Sequence, residues 1–273
     1  MLGDTIAQIA REKAGIIKPG VVVVSSPQPP EAELVIRDAA RSQAAALVEV
    51  GRAVRWKGGL PGPAGQTLRI TGRCGVYDTA LPLWGAFQQE NAATAVAALE
   101  VLREGGFRLP AESFCQGLDQ VSWPGRFQLV SRSPRVILDG AHNQDSARRL
   151  REALESYCGA RPDPAAALPV ERRTLVLGTS LDKDIEGIAA ELVPWFDAVV
   201  VTETRHARAM PREKVAAAVS RLGIAPQVSA DLPAALSAAL GGAGRRDLIC
   251  VTGSLFLVAE AMAALKHLPL SGG

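Results

Sequence analysis

The chain has 273 residues, which at about 150 residues per domain corresponds to roughly two domains. Hydrophobic residues make up 48% of it, enough for a sizeable core, so the composition excludes a disordered chain. Thirty basic and 28 acidic side chains leave a net charge of +2, which gives no long-range attraction to nucleic acid or to an anionic membrane.

The first half of the chain is predicted to combine helices with short β-strands. Asp4 or Thr5 can cap a first helix and Gly15 can end it. Helices are predicted over 4–15, from 30 onward, over 88–106 and over 111–121, with a buried strand over 21–26. Short β-prone pieces separated by Gly and Pro over 52–84 predict antiparallel hairpins.

The second half alternates apolar runs with helical patterns. Strands are predicted over 135–140, 174–180, 197–204 and 247–254, with a weaker strand near 226–230. Helices are predicted over 143–157, 182–195, 210–223, 232–240 and 255–268. This alternation indicates a parallel sheet covered on both faces. The predicted fold class is therefore α/β, with a Rossmann-like, doubly wound domain over 127–273.

The cysteines and histidines form no metal-binding pattern. The four cysteines include no C-x-x-C pair and there are three histidines, so no Cys/His metal site is expected. Scattered cysteines fit a reducing cytosol, and we expect a cytoplasmic protein. The N-terminal residues carry charges where a signal peptide has an apolar core, and no apolar run reaches about 18 residues, so no membrane span is expected.

The segment DGAHN, at 139–143, follows the first predicted strand of the Rossmann-like half and leads into its helix. In open α/β sheets, ligands bind at this carboxyl edge. Asp139 can accept hydrogen bonds from sugar hydroxyls, and His142 can bond a phosphate or a carboxylate. The structural alternative is that Asp139 caps the helix and His142 is a surface histidine.

Two basic residues are weaker signals. Arg126, in PGR, has a planar guanidinium suited to phosphate, although an arginine after a turn is usually just solvated. Lys13, in EKAGIIKPG, lies beside a helix end, where solvated charge is the ordinary interpretation.

Several polar residues are predicted at helix starts. Gln88 and Asn91 lie one turn apart, and either contact a ligand or cap their helix. The segments DKD (182–184) and TGS (252–254) are also typical of caps. The chain contains neither G-x-G-x-x-G after a strand nor G-x-x-x-x-G-K-S/T, which disfavours a nicotinamide dehydrogenase and a phosphate-binding P-loop within these residues.

Six segments in order carry a specific resemblance to a known family. They are LGDTIAQIAREKAGIIKPG, FQQENAATAVAAL, PGR, ILDGAHN, DKD and TGS. Together, from Met1 to about Ala264, they resemble folylpolyglutamate synthase/dihydrofolate synthase of the Mur ligase family. Members of that family are longer and begin with a P-loop ATPase domain, so the resemblance implies a chain that is truncated at its N-terminus.

The resemblance implies a domain organisation and a reaction. Residues 1–121 would be part of the ATPase domain without its P-loop, 122–126 a linker, and 127–273 the C-terminal Rossmann-like domain. ATP, with Mg²⁺, would phosphorylate a carboxylate of folate or dihydropteroate, and L-glutamate would attack the acyl phosphate to form an amide. The intact enzyme is expected to be a monomer, and this chain is expected to be inactive by itself.

The resemblance also assigns residues. Lys13 matches a carbamylated lysine, whose carbamate oxygens suit Mg²⁺. Gln88 and Asn91 match amides near the nucleotide, although Phe87 stands where the family usually has a histidine. By the same resemblance, Arg126 would contact phosphate, Asp139 would bind the nucleotide and His142 would lie beside the terminal phosphate.

The sequence is also compatible with two alternative functions. One is a Mur-type amide ligase with a different acceptor. The other is a non-catalytic remnant or binding subunit, whose partner supplies the P-loop half. A GTNGKGS-like stretch encoded upstream of Met1 would favour the folate ligase over the binding subunit.

Overall fold

The computed structural model describes residue 3 and residues 5–62, 65–159 and 170–267. The chain divides into two compact units. The first comprises Met1–Pro82 and Ala86–Val121, and the second comprises Leu83–Gly85 and Ser122–Gly273. Asp4, one of the two predicted caps, and residues 160–169 lie outside the described residues.

The first unit begins with two helices and two parallel strands. These are α1 (Ile6–Ala14), β1 (Val22–Ser25), α2 (Pro30–Ser42) and β2 (Ala46–Glu49). Thr5 caps α1, because its side chain accepts a hydrogen bond from the backbone N–H of Gln8. β1 pairs in parallel with β2, Val22 lying opposite Ala46. β2 was not predicted, because the Ala-rich sequence looks helical to its end, whereas a left-handed turn at Ala44 (φ 49°) stops α2.

A three-stranded antiparallel sheet completes the first unit with two helices. Its elements are β3 (Arg55–Gly62), β4 (Gly65–Thr71), β5 (Val76–Leu81), α3 (Ala86–Glu104) and α4 (Ala111–Asp119). The predicted hairpins are thereby confirmed. Fully buried Glu100, on α3, holds the turn between β4 and β5, because its carboxylate accepts bonds from the backbone N–H groups of Arg73 and Cys74 and from the Tyr77 hydroxyl.

The second unit is a six-stranded sheet with helices, and it confirms the predicted Rossmann-like α/β fold. Its strands are β6 (Gln128–Arg132), β7 (Arg135–Leu138), β8 (Arg173–Leu177), β9 (Ala198–Val201), β10 (Gln227–Val228) and β11 (Leu248–Thr252). They lie in the order β10-β9-β8-β11-β7-β6. All neighbouring pairs are parallel except the antiparallel pair β6 and β7. The antiparallel edge strand β6 was not predicted, because its short QLVSR sequence has a weak apolar pattern.

Among the described residues, four helices lie between strands of this sheet and a fifth follows its last strand. They are α5 (Gln144–Cys158), α6 (Ile185–Leu192), followed by a 3₁₀ turn Val193–Trp195, α7 (Arg212–Ser220), α8 (Leu232–Gly241) and α9 (Leu255–Leu265). All of β11 is buried, as expected for a central strand of a covered parallel sheet. Among the described residues, no helix combines the length and apolar character needed to cross a bilayer.

Candidate functional site

The carboxyl edge of the second unit's sheet brings several strand ends together. β7 ends at Leu138, and the turn 139–143 leads directly into α5. The backbone N–H of Gly253, just after β11, donates to the Ala141 carbonyl at 3.0 Å, and the Thr179 hydroxyl, just after β8, donates to the Gly253 carbonyl at 2.8 Å. Three strand tips are therefore joined by hydrogen bonds at the edge where parallel sheets bind ligands.

Asp139 is buried at this edge, with only 5% of its surface exposed. One carboxylate oxygen accepts from the backbone N–H of Phe127 and the other from that of Ala141, each at 2.8 Å. Burial raises the pKa of Asp139 to about 6, while these two hydrogen bonds and the nearby Arg126 and His142 act in the opposite direction. The carboxylate therefore holds the local backbone, and each of its oxygens already accepts a hydrogen bond. Direct nucleotide binding by Asp139 stays a prediction. Asp139 is also not the helix cap, a role that Asn143 fills.

The Asp139 carboxylate fixes an unusual backbone conformation on either side of Arg126. Gly125 has φ 74° and Phe127 has φ 46°, both in the left-handed region. The backbone N–H of Gly125 donates to the side-chain oxygen of Gln128 at 2.9 Å. The Gly125 carbonyl accepts a hydrogen bond from the backbone N–H of Gly140 at 2.9 Å. The PGR segment is therefore a fixed turn, and sequence reasoning missed Phe127 and Gln128 because nothing in their local sequence shows these partners.

An aromatic cluster packs on the same turn. The ring of Tyr157, on α5, lies 5.7 Å from that of Phe127 and stacks on Trp84 at 5.4 Å. The backbone N–H of Gly85 donates to the Tyr157 hydroxyl at 3.0 Å. These contacts hold the tripeptide Leu83–Gly85 in the second unit, an arrangement that no sequence pattern predicts.

Arg126 and His142, the two basic candidates of this unit, lie near Asp139. The Arg126 guanidinium is centred 5.7 Å from the Trp123 ring, and the side chain is half-buried. Nδ1 of His142 lies 2.9 Å from the Gly140 carbonyl, so Nδ1 carries the hydrogen in that bond and Nε2 is left for another partner. A half-buried guanidinium and an oriented imidazole suit an anionic ligand.

The remaining polar motifs of this edge serve as helix caps. The Asp184 side chain accepts from Gly187 at the start of α6, and the Ser254 side chain accepts from Phe256 at the start of α9. These bonds satisfy N–H groups that a helix leaves open at its first turn. Helix capping therefore accounts for Asp184 in DKD and for Ser254 in TGS.

The first unit holds the other predicted site residues. Gln88, near the start of α3, is buried, and its side-chain carbonyl accepts from the Asn91 amide at 3.0 Å. Lys13 is exposed in the last turn of α1. In the part of the chain that the structure describes, no three His, Cys, Asp or Glu side chains are grouped to hold a metal ion. A magnesium role for Lys13 stays a prediction.

Comparison with known proteins gives matches over nearly the whole chain. The family model of the Mur ligase, glutamate ligase domain matches residues 125–255. The chain is 33% identical over 263 residues to a probable bifunctional folylpolyglutamate synthase/dihydropteroate synthase of Halobacterium salinarum. That match covers 96% of this chain and 30% of the relative.

Two solved structures are similar in fold and in sequence. Folylpolyglutamate synthase of Mycobacterium tuberculosis, complexed with ADP and AMPPCP, has a TM-score of 0.86 and 30% identity, covering 98% of this chain and 61% of that chain. A bifunctional folylpolyglutamate synthase/dihydrofolate synthase with Mn, AMPPNP and L-glutamate bound has a TM-score of 0.75 and 29% identity, covering 97% of this chain and 58% of that chain. This chain thus spans about three fifths of the length of these two structures.

Proposed function

Because residues 125–255 belong to the Mur ligase family, as its glutamate ligase domain, we propose that the chain takes part in the ATP-dependent joining of L-glutamate to folate or dihydropteroate. The observation that carries the proposal is the likeness, over 98% of the chain, to a folylpolyglutamate synthase complexed with ADP and AMPPCP. The fixed cationic turn at the carboxyl edge supports it, because a nucleotide phosphate needs such a partner.

The proposed reaction has two steps. ATP transfers its terminal phosphoryl group to a substrate carboxylate, which produces an acyl phosphate. The amino group of L-glutamate then attacks the acyl carbon, and phosphate leaves as the amide forms. Negative charge accumulates first on the transferring phosphoryl group and then on the tetrahedral oxyanion, so cationic donors held in place lower both barriers.

Residues of the second unit would supply part of this charge stabilisation. Arg126 would contact phosphate through its planar guanidinium, and the turn at 125–127 holds the backbone that carries it. His142 would contact the terminal phosphate through Nε2, since Nδ1 is engaged with the Gly140 carbonyl. Asp139 would act on the nucleotide mainly by holding that turn, because its carboxylate is buried.

Residues of the first unit have a separate proposed role. Gln88 and Asn91 would lie near the nucleotide, with Asn91 as the more exposed of the two amides. Mg²⁺ bound to ATP takes much of its coordination from phosphates and water. The described residues do not assemble a metal site of their own. Lys13, once carbamylated, would supply one supporting oxygen ligand to that ion.

We also propose how the chain divides into domains. Residues 1–121 would correspond to part of an ATPase domain, 122–126 to a linker, and 127–273 to the C-terminal domain. The 273 residues contain no G-x-x-x-x-G-K-S/T sequence. Turnover would therefore depend on a P-loop contributed by polypeptide outside these residues, and the chain by itself would bind ligands without forming product.

Calorimetric titration of the chain with MgADP tests the proposed function. We expect saturable binding at one site, and Arg126→Ala weakens it at least tenfold because a charge-assisted phosphate contact is lost. Arg246→Ala is the matched control, since Arg246 precedes β11 at the opposite edge of the same sheet. Absence of ADP binding by the wild-type chain, or equal affinity in the Arg126 variant, contradicts the proposal.

A turnover assay on the same protein separates the two parts of the proposal. The chain is mixed with MgATP, L-glutamate and either folate or dihydropteroate, and products are identified by mass spectrometry. Binding without a glutamylated product supports dependence on a separate P-loop. A glutamylated product from the chain alone confirms the ligase and contradicts that dependence.

A further inference from the structure

The loop after β9 carries an arginine that forms no ion pair with the described residues. Arg208 is exposed, in the segment that joins β9 to α7 at the carboxyl edge of the sheet. None of the segments that resemble a known family includes it. An exposed guanidinium at the ligand-binding edge is available to an anion.

Hydrogen bonds hold this loop over the tip of the neighbouring strand. The Arg208 carbonyl accepts from the backbone N–H of Leu181 at 2.9 Å, and the N–H of Met210 donates to the Thr179 carbonyl at 2.9 Å. The Arg208 N–H donates to Nδ1 of His206 at 3.2 Å. Since Thr179 and Leu181 follow β8, the loop folds back from β9 over β8.

Ring stacking connects this loop to the residues that follow β11. The His206 ring lies flat on Phe256, with centroids 3.8 Å apart and planes 12° apart, and the Arg208 guanidinium is centred 5.9 Å from the same Phe256 ring. Phe256 lies in the first turn of α9, which follows β11. Because β11 is next to β7 in the sheet, Arg208 contacts the strand end adjacent to the one that His142 follows.

The charge around Arg208 favours a ligand carboxylate. The adjoining loop carries Asp182, which pairs with Lys183 at 2.8 Å, and Asp184, which caps α6. Glu260, on α9, accepts a hydrogen bond from the backbone N–H of Arg205. The Lys183 hydrogen bond is the main cause of the lowered pKa of Asp182, with Arg208 a smaller contributor. Leu181, Leu255 and Phe256 expose apolar surface beside it. The edge therefore combines a guanidinium with apolar contact.

We propose that Arg208 binds the side-chain carboxylate of the substrate L-glutamate and so selects glutamate over glutamine. This inference rests on the proposed function and names the residue that recognises its amino-acid substrate. The glutamate amino group must face the acyl phosphate beside His142, so the opposite end of the molecule extends along the edge toward β11 and β8. The methylene groups of glutamate would pack on Phe256, and its carboxylate would meet the Arg208 fork.

The test is an NMR titration of the ¹⁵N-labelled full chain with L-glutamate, without nucleotide. We expect amide shifts concentrated in the loop of Arg208 and in the first turn of α9. Arg208→Ala weakens glutamate binding at least tenfold and leaves glutamine binding unchanged, whereas Arg208→Lys keeps part of the preference because the charge remains. Arg205→Ala is the matched control, because it removes a cation from the same loop.

The outcomes distinguish this inference from the proposed function. No binding of L-glutamate, shifts confined to other elements, or equal affinity in wild type and Arg208→Ala each overturn the role of Arg208. MgADP titration of Arg208→Ala on the same samples tests the function separately. Normal ADP binding with unchanged glutamate affinity rejects Arg208 alone, while loss of ADP binding in wild type rejects the proposed function.

Discussion

Replacing Asp139 with alanine tests whether the carboxylate holds the turn around Arg126. The substitution leaves the backbone N–H groups of Phe127 and Ala141 without their acceptor, in residues that are 3% and 1% exposed. An unsatisfied buried donor costs about 1–3 kcal/mol. Removing a buried charge offsets part of that, so we expect a loss of about 2 kcal/mol in the free energy of unfolding at pH 7.5.

The loss should be larger at low pH. Burial raises the pKa of Asp139 to about 6 in the folded state, above its ordinary value of 3.8. The folded state therefore binds the proton more tightly than the unfolded state, and this stabilisation is present at low pH and is lost as the pH rises through about 6. From pH 7.5 to pH 4.5 the wild type gains about 2 kcal/mol from this group, and the alanine variant gains none from it.

The measurement is urea unfolding of both proteins at the two pH values. Tryptophan fluorescence is a suitable probe, because Trp84, Trp123 and Trp195 lie in the second unit and Trp56 in the first. Subtracting the unfolding free energy of the alanine variant from that of the wild type cancels the contributions of all other groups that titrate alike in both proteins. A variant as stable as wild type at pH 7.5, or the same difference at pH 4.5 and 7.5, refutes this account of Asp139.

Two further substitutions test the fold around the strand ends and in the first unit. Gly253→Ala should lower the melting temperature strongly, because φ is +110° there and a Cβ would lie 2.5 Å from the Gly178 carbonyl oxygen. Gly241→Ala is the control, since a Cβ at Gly241 would meet open space. Equal melting temperatures of the two variants would contradict this geometry. Glu100→Gln should destabilise the first unit by about 2 kcal/mol, because the buried carboxylate accepts three hydrogen bonds. It should also lower the pKa of Tyr77 from about 12, since burial and then the Glu100 bond raise it; an unchanged phenol titration by ultraviolet absorbance would argue against that bond.

The sequence predicted the strands of the second unit well because their apolar runs are continuous. β7, β8, β9 and β11 are central and buried, so nearly every position has to be apolar. β2 and β6 escaped prediction for opposite reasons. β2 follows an Ala-rich helix without a clear sequence break, and β6 is an edge strand that needs fewer apolar residues.

The candidate site was predicted in position but not in its contacts. The strand-to-helix pattern placed Asp139 and His142 at the carboxyl edge, where the structure has them. The burial of Asp139 was missed because its partner Phe127 lies 12 residues earlier, across the loop and edge strand. Arg208 and Phe256 meet only because the loop after β9 folds over β8, which no local pattern encodes.

A crystal structure of the chain with MgADP would show whether nucleotide binds at the carboxyl edge of the second unit. We expect nucleotide phosphates beside Arg126 and His142, with the hydrogen bonds from the backbone N–H groups of Phe127 and Ala141 to Asp139 intact. Nucleotide bound at another surface, with both of these side chains free of it, would contradict the claim.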